Sequence, residues 1–206
     1  MNPFQAYQQY ATRYPDQEQI GAVLFDTVAY TSAATVALNL FNAVRAPQLS
    51  NMEIPSQLPN PKAFLIRAIS FNVLHNPTST ARAAAGAVTT GALDDIAQLI
   101  DTGVLTLTIG SKPYAQFPLW ALPGTSGPYG IFGSDGNTAD PGNTTQVART
   151  GYPMHGNGFT LSKPVPIVPM MNFIVVLTWP LAITLSLGGT LNVQVIFDGT
   201  LIRPVQ

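Results

Sequence analysis

The side chains capable of acid–base or metal chemistry are few in this chain of 206 residues. It contains two histidines, His75 and His155, two glutamates, Glu18 and Glu53, and no cysteine. A catalytic base must be held close to both a substrate and an orienting group, and neither histidine has a clustered partner in the sequence. Without cysteine, thiol nucleophiles, disulfides and cysteine-ligated metal sites are excluded. We therefore predict a protein that is not an enzyme and that has no cofactor.

The sequence also lacks the short motifs that position catalytic groups. Paired-histidine spacings, a G-x-S-x-G nucleophile turn and a G-x-x-x-x-G-K-[ST] phosphate loop are all missing. Folding can bring any two carboxylates together, so a hydrolase that acts on sugar polymers stays open as an alternative. Asp135 and Asp140 have a spacing loosely suited to Ca²⁺, without the terminal glutamate of an EF-hand. They form a weak calcium candidate.

Charged residues make up only 9% of the chain, whereas soluble domains carry about 25%. The formal net charge is −1, and a chain with no basic excess cannot neutralise a phosphate backbone. Sequence-specific nucleic-acid binding is therefore not expected. The cores of protein interfaces are poor in Lys, Glu and Asp and rich in aromatic residues. Ten Phe, seven Tyr and two Trp thus favour a surface that contacts other protein, and a neutral-surfaced monomer is the alternative.

Alternating apolar residues predict that strands form most of the structure. In residues 104–109, Leu105, Leu107 and Ile109 fall on one face, with threonines on the other. Further strands are predicted at residues 22–30, 35–41, 63–75, 112–119, 159–161 with 165–168, 173–177, 183–187 and 191–197. Only residues 93–100 have clear helical spacing, followed by Gly103 as a stop. With 17 Gly and 18 Pro between the strands, this pattern predicts an all-β antiparallel sandwich or barrel with one short helix.

Residues 164–197 contain no charged side chain and are long enough for a membrane-spanning helix, which needs about 20 apolar residues. Three prolines, Pro166, Pro169 and Pro180, interrupt this stretch, and β-branched residues are frequent in it. Proline breaks helices, and β-branched residues favour strands. Buried strands are therefore the favoured interpretation of this stretch.

Two tracts, residues 45–62 and 120–158, are predicted as long loops. Loops beyond about 15 residues tend to be functional or to lie against another chain. The second tract is rich in Gly, Pro, Asn and Thr and includes Trp120, Tyr129 and Phe132. We predict that these three residues belong to an inter-subunit or outward-facing loop.

Residues 1–19 are predicted to be an N-terminal arm that precedes a single domain at 20–206. Phe4, Tyr7, Tyr10 and Tyr14 recur at intervals of three or four, so on a helix they would form one stripe. A free tail would expose four rings to water. The arm is therefore expected to fold onto its own domain or to dock on a neighbour, and we predict that the four rings anchor it.

The layout resembles that of a known family. The resemblance is carried by the arm at 1–19, the strand and turn at 105–114, the run 117–119 and the closing runs 172–179 and 191–206. They resemble the single jelly-roll capsid proteins of icosahedral, tailless bacterial viruses. The resemblance implies an eight-stranded antiparallel jelly-roll sandwich of two four-stranded sheets that self-assembles into a shell around a genome, without catalysis.

On this resemblance we expect a capsid subunit of the shell or of a vertex, located in the virion. It would be a homo-oligomer that contacts copies of itself and other virion proteins through its arm and loops. The arm is not basic, so it is not expected to package a genome directly. The inner face of the subunit is instead expected to contact a membrane or another protein. The alternative is a carbohydrate- or receptor-binding jelly roll, like a spike or lectin. Such a module would use the 120–158 tract, with Ca²⁺ at Asp135 and Asp140.

Overall fold

The chain folds into ten strands and two α-helices within the parts that the computed structural model describes, residues 2–74, 92–122, 129–134, 144–149, 159–185 and 190–205. The helices are α1 (Pro3–Arg13) and α2 (Ala92–Thr102), and a 3-10 turn spans Leu119–Ala121. The strands are β1 (Gln17–Thr31), β2 (Ala37–Leu40), β3 (Ala63–Leu74), β4 (Val104–Ile109), β5 (Lys112–Pro118), β6 (Tyr129–Ser134), β7 (Thr144–Arg149), β8 (Phe159–Ile167), β9 (Phe173–Thr178) and β10 (Thr190–Pro204).

Eight of these strands form two antiparallel four-stranded sheets. Sheet one has the order β1-β10-β3-β8, and sheet two has the order β2-β9-β4-β5. The strands β6 and β7 pair with each other as a separate antiparallel hairpin. The two sheets pack face to face around a shared core. The prediction of an all-β antiparallel sandwich is therefore confirmed.

The core between the sheets is built by the predicted alternation. Leu105, Leu107 and Ile109 on β4 are buried, as are the alternate residues of β9 and β10. Aromatic rings fill its centre, where Phe41 stacks on Phe197 of β10 at 4.9 Å between ring centroids. Burying a side chain of this size contributes about 1.5–3 kcal/mol, so the alternation is the main source of stability.

Strand direction places four connections at the same end of the sandwich, which we call the loop end. Thr31 of β1 pairs with Thr190 of β10, and Val104 of β4 pairs with both Thr178 and Pro118. The connections 32–36, 75–103, 119–158 and 179–189 all leave the strands there. Within the second of them, α2 buries Ile96, Leu99 and Ile100 in the core, so this helix closes the loop end of the sandwich.

The strand predicted at 183–187 is wrong for residues 183–185, which pair with no neighbouring strand; residues 186 and 187 lie outside the described residues. Ile183 and Leu185 are buried. The Ile183 amide donates to the Tyr30 hydroxyl at 2.7 Å, and the Leu185 amide donates to Ser32 Oγ at 2.8 Å. Alternation indicates which side chains are buried, and it does not show which residues pair as strands. Here the hydroxyl oxygens of Tyr30 and Ser32 accept the amide hydrogen bonds that a partner strand would otherwise accept.

The prediction of one short helix is also wrong, because α1 is a second helix of 11 residues. Its start is well defined: the Asn2 side chain accepts a hydrogen bond from the Phe4 amide at 3.0 Å, and Pro3 occupies the first turn. Both features favour a helix start. The glutamines of the arm obscured this signal, because they leave only a narrow apolar stripe.

Two boundaries differ from the sequence analysis. The tract 120–158 contains the β6–β7 hairpin, in which Tyr129 pairs with Arg149 and Ser134 with Thr144. In addition, β1 begins at Gln17, so the last residues of the predicted arm already belong to sheet one.

Candidate interaction surface

Sheet two is almost free of charge. Its four strands, all fully described, contain a single charged residue, Lys112, at the start of β5. The strands of sheet one instead contain six: Glu18, Asp26, Arg67, Lys163, Asp198 and Arg203. Asp26 is buried and the other five are exposed, so the strands of sheet one present charges to solvent, whereas those of sheet two are nearly neutral.

The outward positions of sheet two follow from its inward ones. Because Leu105 and Leu107 are buried, Thr106 faces outward, and the pairing aligns it with the neighbouring strands in a row. This row is Asn39, Val176, Thr106 and Gln116, and the next row is Ala37, Thr178, Val104 and Pro118. The third partial row contains Ile174 and Thr108. We call these ten residues the neutral face. It offers hydroxyls, amides and methyl groups, but no ion-pair partner.

At the loop end, three exposed apolar residues lie just beyond strands of sheet two, and we call them the apolar rim. Val36, Trp120 and Leu181 are 50%, 60% and 77% exposed. Val36 directly precedes β2, and its carbonyl accepts a hydrogen bond from the Trp179 amide at 2.9 Å. Trp120 follows β5 by two residues. Exposed apolar residues next to a neutral surface make this end of sheet two a candidate contact region.

The edges of both sheets are protected against strand addition, and the edge strand β2 is only four residues long. The edge strands β5 and β8 contain lysine and proline at Lys112, Pro113, Pro118, Lys163, Pro164 and Pro166. On the outer edge of β1, the Asn51 side chain donates to the Val23 carbonyl at 2.7 Å and accepts from the Phe25 amide at 2.9 Å. Lysine, proline and a covering loop all discourage another strand from pairing. Contacts with a partner are therefore expected through faces and ends.

The predicted arm folds onto its own domain. Helix α1 packs on the outer face of sheet one, where Tyr10 is buried in a small separate cluster with Ala6, Ala63, Val168 and Ile202. The Tyr10 hydroxyl donates to the Pro61 carbonyl at 2.6 Å. Burial raises the pKa of Tyr10, and the neighbouring Tyr14 and Tyr7 raise it further. Tyr10 therefore holds the arm against its own chain.

The other rings of the predicted stripe are more accessible. Tyr7 and Tyr14 are half-buried beside Tyr10, with ring centroids 6.3 and 5.1 Å from it. Phe4 is exposed. The outward side of α1 carries glutamines, Thr12 and Arg13. A role of these rings in contacts between subunits stays a prediction.

Replacing Tyr10 tests how the arm is held. Tyr10→Phe removes one buried hydrogen bond and is expected to weaken docking of α1 by about 1 kcal/mol. Tyr10→Ala also removes the ring and is expected to weaken docking by about 3 kcal/mol. Trypsin cleavage after Arg13 under native conditions measures the population of detached helix. The control is Gln8→Ala on the outward side, and equal cleavage rates for this control and Tyr10→Ala would contradict the assignment.

The loop residues of the sequence analysis are only partly placed. Trp120 is exposed and belongs to the apolar rim. The side chains of Tyr129 and Phe132, on β6, lie outside the described residues, as do Asp135 and Asp140. Sequence reasoning missed Val36 and Leu181. Val36 has the alternation of Leu38 and Leu40, and Leu181 has that of the buried Ile183 and Leu185, so nothing in the local sequence marks either residue as exposed.

Asp26 is a buried carboxylate that sequence reasoning also missed. It is fully buried on β1, and both of its oxygens lie within 2.8 Å of Arg45 Nη1. It also accepts a hydrogen bond from the Phe41 amide at 2.5 Å. Burial raises the pKa of Asp26, and Phe41, Arg45 and Ser50 oppose that effect. Because Asp26 connects β1 to residues 41–50, its contacts are those of a structural cluster.

No described helix is both long and apolar enough to cross a bilayer. Within the described residues, no group of three or more His, Asp or Glu side chains could hold a metal ion. Neither protein-family models, nor curated proteins, nor solved structures match this chain. Function is therefore inferred from the surface and the topology.

Proposed function

We propose that this protein is a structural subunit of a viral capsid, of the shell or of a vertex, that self-assembles with its own copies. The observation that carries the proposal is the neutral face of sheet two with its apolar rim. Interface cores are depleted in charge, and exposed apolar patches bordered by polar residues mark protein contacts. A neutral broad face of this kind suits many moderate contacts repeated by symmetry.

The strand order supports a jelly roll as the finer description of the sandwich. When the eight strands are lettered B to I in chain order, sheet one becomes B-I-D-G and sheet two becomes C-H-E-F. The β6–β7 hairpin is then an insertion between strands F and G. Jelly rolls occur in viral capsids and in lectins, so topology alone does not separate the two functions. The neutral face favours the capsid.

Location and partners follow from the same proposal. The subunit would reside in the virion and contact copies of itself and other virion proteins. The net charge of −1 and the folding of the arm against sheet one both argue against direct contact with a genome. The inner side of the shell would instead meet another protein or a membrane.

The oligomeric state of the purified protein tests the proposal. Sedimentation velocity across a hundredfold range of concentration, followed by negative-stain electron microscopy, is expected to reveal particles or defined oligomers. The matching observation in the source is the presence of this chain in purified virus particles. A monomer at the highest concentration, with no such particles in the source, would contradict the proposal.

Removing the apolar rim is expected to weaken assembly without unfolding the subunit. The double variant Trp120→Ser, Leu181→Ser removes two side chains whose burial contributes about 1.5–3 kcal/mol each. The concentration needed for assembly is therefore expected to rise at least about tenfold, while the melting temperature stays unchanged. The control is Val44→Ser, which changes another exposed apolar residue, 52% exposed, in the 41–62 connection, away from the loop end. If Val44→Ser raises the concentration needed for assembly as much as the double variant does, the apolar rim has no specific role in assembly.

A further inference from the structure

The neutral face defines the kind of partner that it fits. We infer that this face packs against the same face of a second copy of this chain, related by a two-fold axis. The inference rests on the proposed function, because it assigns one of the contacts through which the subunit would assemble. The inferred contact is formed by the neutral face alone, without the arm, the apolar rim or the loops.

The charges on the two sheets indicate which partner the neutral face binds. A nucleic acid or an anionic membrane is bound through lysine and arginine, and Lys112 at the start of β5 is the only cation in the strands of sheet two. Two copies of a face without charges can approach although each chain has a net charge of −1. The charged strands of sheet one would instead bring like charges together wherever identical positions meet. Of the two broad faces, only that of sheet two suits a second copy.

The side chains of the neutral face are complementary to those of the same face on a second copy. Its centre, on β4 and β9, carries Val104, Thr106, Ile174 and Val176, all half-buried. Methyl groups of such β-branched residues interdigitate when two sheets pack about 10 Å apart. A threonine hydroxyl both donates and accepts, so it can hydrogen-bond to the same residue type across a two-fold axis. A partner with the same surface therefore satisfies both its apolar and its polar groups.

The size of the face determines how strong this contact can be. Four strands spaced about 4.8 Å apart and about six residues long cover on the order of 400 Å² per copy. The pair would bury on the order of 800 Å², below the roughly 1,200 Å² at which stable interfaces begin. The contact is therefore expected to be weak in an isolated pair. It gains strength when other contacts hold the copies together, as in a shell.

Charge complementation at Thr106 tests the inference. Thr106→Lys and Thr106→Glu each place a charge at the centre of the face. Each variant alone is expected to raise the concentration for self-association at least about tenfold, because like charges then meet across the axis. A mixture of the two variants is expected to restore association to within about threefold of the wild type. Sedimentation velocity gives the concentration, and the melting temperature shows whether each variant is folded.

The matched control uses Ser70, which lies on the outer face of sheet one between the buried residues Ile69 and Phe71. Ser70→Lys and Ser70→Glu, alone or mixed, are expected to leave association unchanged. These variants place the same charges on a half-buried strand position of the other sheet, so they separate a specific contact from a general effect of charge.

The remaining outcomes show which of the two proposals, the two-fold contact or the capsid function, is wrong. If the wild type assembles and both Thr106 variants assemble equally well, this inference fails and the capsid proposal stands. If both variants fail to associate and mixing does not restore them, the face meets a different surface, and the inference fails. Binding of the wild type to phospholipid vesicles, lost in both variants, would assign the face to a membrane. If only a weak dimer forms, and it is abolished and restored as expected, the inference stands and the capsid proposal fails.

Discussion

Gly199→Ala is expected to lower the free energy of unfolding by more than about 4 kcal/mol, enough to prevent accumulation of folded protein. A Cβ at this position would lie 1.9 Å from the carbonyl oxygen of Leu65 and 2.9 Å from Cε1 of Phe64. The obstacle is backbone of the neighbouring strand β3, at the point where the register between β10 and β3 shifts. Because β10 also pairs with β1 on its other side, it cannot move away without breaking a second ladder.

Gly21→Ala is the matched control for this substitution. Gly21 is also a glycine of sheet one, but an added Cβ there meets nothing within 4 Å. Its substitution is expected to leave stability unchanged or to raise it by up to about 1 kcal/mol, because alanine restricts the unfolded chain. Urea unfolding and soluble yield compare the two variants. Similar losses in both would show that glycine is needed for a reason other than the close approach of Leu65.

Asp26→Ala is expected to lower the free energy of unfolding at neutral pH by about 3–5 kcal/mol. The substitution leaves the Arg45 guanidinium and the Phe41 amide without the acceptor that both now share. A buried ion pair adds little net stability, but removal of one partner leaves the other uncompensated. Denaturant unfolding measures the loss. The control is Glu18→Ala in the exposed pair Glu18–Arg203, which is expected to cost less than about 1 kcal/mol.

The pH dependence of stability distinguishes charge from hydrogen bonding at Asp26. Burial raises the pKa of this carboxyl above its ordinary value, so the folded protein holds the proton more tightly than the unfolded chain does. The stability that this raised pKa adds is therefore complete below the ordinary pKa and is lost as pH rises through the raised one, whereas the hydrogen bonds from Phe41 and Arg45 persist. Relative to Asp26→Asn, the wild type is expected to be most stable in acid and to lose that advantage with rising pH. An advantage that grows with pH would contradict the raised pKa.

The strands could be predicted because burial leaves a periodic trace in the sequence. In β4 and β10, every second residue faces the core, so alternating apolar residues mark both the strand and its inward face. The same trace was misleading at residues 183–185, where Ile183 and Leu185 are buried without a partner strand. Alternation encodes which side chains leave water, and the pairing partner is decided by residues far away in the chain.

For the candidate surface, the sequence predicts the kinds of residue that form it, and the positions of those residues could not be predicted. Trp120 was singled out as an aromatic residue in a long tract, and it is exposed at the loop end. Val36 and Leu181 belong to the same rim, yet 145 positions along the chain separate them. Asp26 gave no signal, because a single carboxylate within an apolar strand has no spacing that identifies its partner. Arg45 becomes that partner only when the 41–50 connection folds back onto β1.

By itself, the sequence determined that this protein is an all-β sandwich with very few charges, because alternation and composition are properties of the linear chain. The tertiary structure decided where those few charges lie. The strand order β2-β9-β4-β5 brings together four segments that happen to contain only Lys112, whereas six charges fall on β1, β10, β3 and β8. A neutral face is therefore a consequence of long-range strand pairing, which depends on packing between distant residues and leaves no local trace in the sequence.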